Sequence, residues 1–342
     1  MWFLGSLSTL RYKDAFFVDT KRISVYNGKD AKNGRMKNMQ IVSITLTQLA
    51  NMFFFMAIGY VFRKKNILDI YAGGTVSRLL VNVFLPAMVI RSFSSNFKLD
   101  VISDKLMLIL FSTAVLIITS VLAVFLAKMF SKDKATQGIY IYSFAIPNLG
   151  YMGYPLVQAI FGEAALLDTM VYCLPYNIFI YTIGIKLLTS QKNASVLGLL
   201  KNPSIVAIFV GAFLGLCDIK LPAAVSGILD AANACVSPCA MILTGTVFAR
   251  INMKSVFTDW RSYAASAIRL VIIPVIALFV MRLLKVPETW VLPCFAILAM
   301  PLGVNSVVFP EAYGGDAESG AKVCFMAAIL GIVTIPFMFA LL

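Results

Sequence analysis

Apolar positions along this chain gather into long runs separated by short polar stretches. From residue 41 there are ten, at 41–62, 71–92, 106–130, 136–161, 165–189, 203–217, 223–249, 262–283, 290–312 and 318–341. Most reach the roughly 20 residues that a helix needs to cross a bilayer core, so the pattern predicts an all-α membrane protein with ten transmembrane helices. Two of the runs are interrupted. Residues 144–162 carry Pro147, Asn148, Gly150, Gly153 and Pro155, and residues 297–315 carry Pro301, Gly303, Asn305 and Pro310. Proline removes a backbone donor and clashes one turn back, and glycine loses the most backbone entropy, so both spans are expected to break. In hydrocarbon a broken backbone survives only where protein or a water-lined cavity satisfies its N–H and C=O groups. Two interrupted spans at matching places in two halves point to the binding site of a secondary transporter.

Ten spans divide as five plus five, and because five is odd the second half enters from the opposite side, giving two inverted five-helix repeats. Local matches agree with this: span two ends V-N-V-F-L-P-A-M-V-I and span seven contains N-A-C-V-S-P-C-A-M-I-L. The expected division is a basic N-terminal extension at 1–40, a first repeat at 41–189, a cytoplasmic loop at 190–202 and a second repeat at 203–342. Loops after odd-numbered spans carry thirteen Lys/Arg against six after even-numbered ones. The positive-inside rule therefore places the odd loops in the cytoplasm and both termini outside, in a multi-pass protein of the cell membrane. Residues 1–40 hold eight Lys/Arg and conflict with an outside terminus. They are expected to be disordered or to precede the natural start, for which Met36 and Met39 are the candidates.

Composition narrows the chemistry. Of 342 residues, 60% are hydrophobic and 13% charged, which excludes an ordinary soluble domain. A formal charge of +13 would suggest nucleic acid in a soluble protein, but here the basic residues sit in short loops and report topology instead. There is no histidine, which removes His-based acid–base catalysis, haem ligation and most zinc sites. The six cysteines lie in apolar runs, where they read as packing residues; Gly211 and Gly215 of span six read as close helix packing. No cofactor, no metal and no enzymatic function are expected.

The segment P-N-L-G-Y-M-G-Y-P-L, residues 147–156, resembles the auxin efflux carrier family, which includes plant PIN carriers and compact bacterial permeases. Its span-four pattern N-x-x-x-M-G-x-P-L is met by Asn148, Met152, Gly153, Pro155 and Leu156. Further matches are G-Y-V-F-R-K-K-N-I-L-D after span one, L-P-A-M in span two, K-N-P-S-I-V-A before span six, S-P-C-A-M-I-L-T-G in span seven and P-L-G-V-N-S-V-V-F-P-E-A-Y-G in span nine. The resemblance spans roughly residues 36–342. It departs where plant carriers have a crossing proline, here Ser306, and in the short loop between spans five and six. It implies the crossed-helix, inverted-repeat fold shared with bile-acid transporters and sodium/proton antiporters, with broken helices four and nine crossing near mid-membrane.

On that fold the half-helix N-termini would offer unpaired N–H groups to a carboxylate. Asn148, Gly150, Tyr151, Gly153, Tyr154 and Pro155, with Pro301, Gly303, Asn305 and Ser306, form the candidate substrate site. Asn148 either binds or only caps a half-helix. Charged residues within spans tend to face cavities or partners, because a central charge costs roughly 3 kcal/mol. Arg78, Arg269 and Asp230 are therefore candidates for coupling or support, beside Asn82 and Pro86, with snorkelling or interfacial placement as the alternative. Asp168 is a fourth such charge. The expected partners are the lipid bilayer and a small organic anion, of malonate, malate or auxin-like type, in a monomer or homodimer. A proton or sodium is the candidate coupling ion. A passive channel or a membrane sensor of the same fold is the alternative.

Overall fold

The computed structural model describes residues 34–189, 203–251 and 253–342. The expected 190–202 loop and most of the N-terminal extension lie outside these. In chain order the helices are α1 (Gly34–Lys64), α2 (Ala72–Ser95), α3 (Leu99–Phe130), α4 (Lys134–Ala145), α5 (149–161), α6 (Ala164–Tyr172), α7 (Leu174–Leu188), α8 (Pro203–Leu216), α9 (Ala223–Phe248), α10 (Met253–Thr258), α11 (Trp260–Leu283), α12 (Glu288–Leu298), α13 (Asn305–Tyr313) and α14 (Ala317–Phe339). The described chain is all-helical. Helix α1 starts at Gly34, in the polar flank before the first apolar run, where Met36, Lys37 and Met39 are good helix formers.

Among the described residues, five helices (α2, α3, α9, α11 and α14) are long and apolar enough to cross a membrane. The bent pair α6–α7, turned by 44°, makes a sixth. Their outer faces carry exposed large apolar side chains such as Phe125, Phe279 and Val333, which only lipid tails would cover. Expected spans four and nine are each split: α4 from α5 at residues 146–148, and α12 from α13 at 299–304. Gly162, with φ of +84°, makes the turn between α5 and α6, a backbone conformation that favours glycine.

Prolines also shape helices that do not break. The turns Leu80–Phe84, Leu149–Gly153 and Ile268–Ile272 are widened to i→i+5 hydrogen bonding. Pro86, Pro155 and Pro274 each follow two residues later. The proline ring cannot sit against the carbonyl one turn back, and a wider turn relieves that clash.

Packing sorts the helices into two groups. Helix α1 lies along α9, α8 along α2, and α9 along α2. At the α2–α8 contact a Cβ on Gly215 would lie 2.6 Å from the Phe93 carbonyl oxygen, so the small-residue pair does allow close helix approach. In the second group α3 packs on α4 and α7, α11 on α12 and α14, and α13 on α14. The groups meet where α1 and α9 touch α14 and where α13 touches α2.

Candidate functional site

The two broken spans cross back to back. Pro147 and Leu302 form an antiparallel bridge, the Asn148 N–H donates to the Pro301 carbonyl at 2.8 Å, and the Gly303 N–H donates to the Ile146 carbonyl at 3.3 Å. These bonds satisfy backbone groups that the interruptions free, as a membrane interior requires. Gly303 eases the close approach, since a Cβ there would sit a tight 3.3 Å from the Pro147 carbonyl oxygen. Helices α5 and α13 then begin just past the crossing. Their first turns carry N–H groups without intrahelical acceptors and the positive ends of their dipoles.

Asn148 is 1% exposed, yet neither its amide nitrogen nor its carbonyl oxygen has a hydrogen-bond partner. Leaving such groups unpaired costs roughly 1–3 kcal/mol each, so the side chain is poised for a ligand or water rather than acting as a helix cap. Across the crossing, Asn305 accepts a hydrogen bond from the Tyr151 hydroxyl at 3.0 Å, and the Tyr142 hydroxyl lies beside it. Asn148, Gly150, Tyr151, Tyr154, Gly303 and Asn305 all line a pocket of about 20 Å³, room for one water.

That pocket adjoins a cavity of about 660 Å³, within the usual range for ligand sites. Met88, Gly150 and Tyr154 belong to both. The wide cavity lies between α2 and α9 on one side and α5 and α6 on the other. Arg91, Asp230, Asn233 and Ser237 come from α2 and α9, and Gln158 and Met170 from α5 and α6. At the other end of α2 the groups are shut. Ser77 donates to the Val308 carbonyl at 2.6 Å, Glu311 packs on Gly73, and Arg250 pairs with Glu311 at 2.7 Å.

Not every expected residue reaches the site. Gly153 serves packing instead, because a Cβ there would lie 2.9 Å from Ile297 Cδ1. Ser306 is fully buried and donates to the Gly303 carbonyl of its own turn. Pro301 contributes its carbonyl to the crossing, whereas the Pro155 side chain lies outside the described residues. Asn82 is exposed and bonded to the Arg78 carbonyl, and Arg78 is exposed and bonded to the Gly74 carbonyl; neither these two nor Pro86 lines the crossing pocket or the wide cavity. Asp168 pairs with Lys105 at 3.0 Å. Asp230 does face the wide cavity, paired with Arg91 at 2.6 Å.

Arg269 is the charge that is truly buried, at 1% exposure. One guanidinium nitrogen donates to the Phe144 carbonyl at 3.2 Å, while Nε and Nη2 have no partner. Phe144 lies in the last turn of α4, so the cation sits at a half-helix C-terminus, where the dipole is negative. Snorkelling is thereby ruled out for this residue. Composition did not flag Arg91, which read as a loop charge, nor Tyr142, Gln158, Asn177 and Asn233. Their polar side chains on otherwise apolar spans were the available signal.

Among the described residues no group of His, Cys, Asp and Glu could hold a metal ion. A protein of Methanothermobacter thermautotrophicus described as an uncharacterized transporter is 23% identical over 291 residues, covering 82% of this chain and 92% of its own. The model of the membrane transport protein family matches residues 44–197 and 189–339. This chain is a multi-pass membrane protein belonging to that transporter family, the auxin efflux carriers.

Proposed function

We propose that the protein is a secondary carrier of small organic anions, which it binds at the crossing and moves by rocking one helix group against the other. The observation that carries this reading is Asn148. Its buried, unpartnered amide lies at the meeting point of two half-helix N-termini, beside a cavity large enough for a carboxylic acid. Two helix dipoles and neutral amides hold an anion without a permanent buried counter-charge, so the site can release what it binds.

In this reading the ten apolar runs are ten spans in two inverted repeats, at 41–189 and 203–342, with α4/α5 and α12/α13 as the broken fourth and ninth. Under the positive-inside orientation, Arg250 and Glu311 are cytoplasmic and the wide cavity opens outside, so the structure is an outward-facing form. The Ser77–Val308 and Arg250–Glu311 contacts then close the cytoplasmic side, as expected of a carrier and not of an open channel. A thermal-shift screen of the purified protein against mono- and dicarboxylates, repeated with Asn148→Ala, tests the site. Stabilisation by carboxylates that disappears in the variant supports the reading; stabilisation that persists in the variant refutes the assigned site.

A further inference from the structure

Arg91 lies on α2 one turn beyond Met88, one of the residues that line both the crossing pocket and the wide cavity. Each of its three guanidinium nitrogens has a partner. Nε donates to Asp230 Oδ1 at 2.6 Å, Nη2 to Asp230 Oδ2 at 3.5 Å, and Nη1 to Ser95 Oγ at 2.6 Å. Both members of the ion pair line the wide cavity, which makes its wall electrically neutral there. Both also come from the same helix group, α2 and α9, so the pair does not tie the two groups together. A locking role therefore does not account for it.

A guanidinium holding a carboxylate by two nitrogens, inside a cavity, already displays the geometry in which it would hold a ligand carboxylate. We propose that Arg91 is a second anion contact of the transport site, and that Asp230 is a built-in competitor displaced by the ligand's distal carboxylate. This deepens the organic-anion reading and rests on it. Three residues of helix separate Met88 from Arg91, a rise of about 4.5 Å. A Cβ on Gly150, at the start of α5, would lie 3.3 Å from the Met88 methyl, so Met88 marks the level of the crossing. A short dicarboxylate bridges the crossing and the arginine, whereas a monocarboxylate of the same length engages only the crossing.

The test compares succinate with butyrate by thermal-shift titration of the full-length purified protein and its R91Q, R91K, D230N and N148A variants. Succinate binds wild type more tightly than butyrate. R91Q loses succinate affinity by about tenfold or more while its butyrate response stays, which also shows that the variant is folded. R91K is intermediate, because a lysine keeps the charge but not the two-nitrogen contact. D230N binds succinate several-fold more tightly, since the competitor is gone. An unchanged succinate-to-butyrate ratio in R91Q, or weaker succinate binding in D230N, overturns the proposal. If N148A abolishes both responses while R91Q changes neither, the crossing site stands and the arginine's role falls. No response to either acid in wild type overturns both.

Discussion

On the carrier reading proposed above, Glu311→Gln should shift the protein from an outward-facing toward an inward-facing form. Arg250 Nη2 lies 2.7 Å from Glu311 Oε2, and the contact joins the loop after α9 in one helix group to α13 in the other. The Glu311 side chain is 12% exposed and that of Arg250 is 40% exposed. A fully exposed pair contributes roughly 0–1 kcal/mol and a hydrogen bond to a charged group about 1.5–3 kcal/mol. One buried and one wet partner place this contact between the two, at about 1–2 kcal/mol. With about 1.4 kcal/mol lost, the outward-to-inward ratio falls tenfold; from a starting population of about 95% outward, this leaves about 65% outward and raises the inward form about sevenfold.

The assay is accessibility. In a variant freed of its native cysteines, Ser237→Cys places a thiol in the wide cavity, and a membrane-impermeant maleimide is applied from outside. Labelling should slow by about one third in Glu311→Gln, by the population arithmetic above. Gln keeps the shape of Glu and removes only the charge, so packing on Gly73 is preserved. Labelling that is unchanged or faster would refute the reasoning that this ion pair holds the cytoplasmic side shut.

Other expectations follow from the same geometry. Gly215→Leu should destabilise the α2–α8 contact by about 1–3 kcal/mol, read as a lower melting temperature, because any Cβ there meets the carbonyls of Phe93 and Phe97. Arg269→Met should leave melting unchanged or raise it while lowering carboxylate uptake, since it removes a buried cation with two unsatisfied nitrogens. A melting temperature several degrees lower would make Arg269 a structural residue instead. Gly303→Ala should weaken carboxylate binding, because the added methyl presses on the Pro147 carbonyl and the Tyr142 ring; unchanged affinity would show that the crossing has slack.

What the sequence carried best was local backbone chemistry. Proline and glycine have fixed geometric consequences, so the breaks at Pro147–Asn148 and Pro301–Gly303 could be placed almost to the residue. Side-chain direction was harder. Asn82 shares the one-turn spacing before a proline that made it a candidate, but it is exposed and its amide folds back on the Arg78 carbonyl. Arg91, three turns along the same helix, points into the cavity, and only the packing of α9 reveals it. Arg269 illustrates the same limit: its place within an apolar run was readable, whereas its contact with Phe144 depends on how α11 packs against α4. The 44° bend between α6 and α7 also went unforeseen, although Pro175 at its foot was the cue.

The central claim is that an organic anion binds at the crossing and is carried through. Counterflow in proteoliposomes tests it most directly: vesicles preloaded with unlabelled succinate should take up external labelled succinate transiently and saturably, and Asn148→Ala should abolish the overshoot. Uptake that rises linearly with concentration, matches protein-free vesicles and ignores the internal load would contradict it.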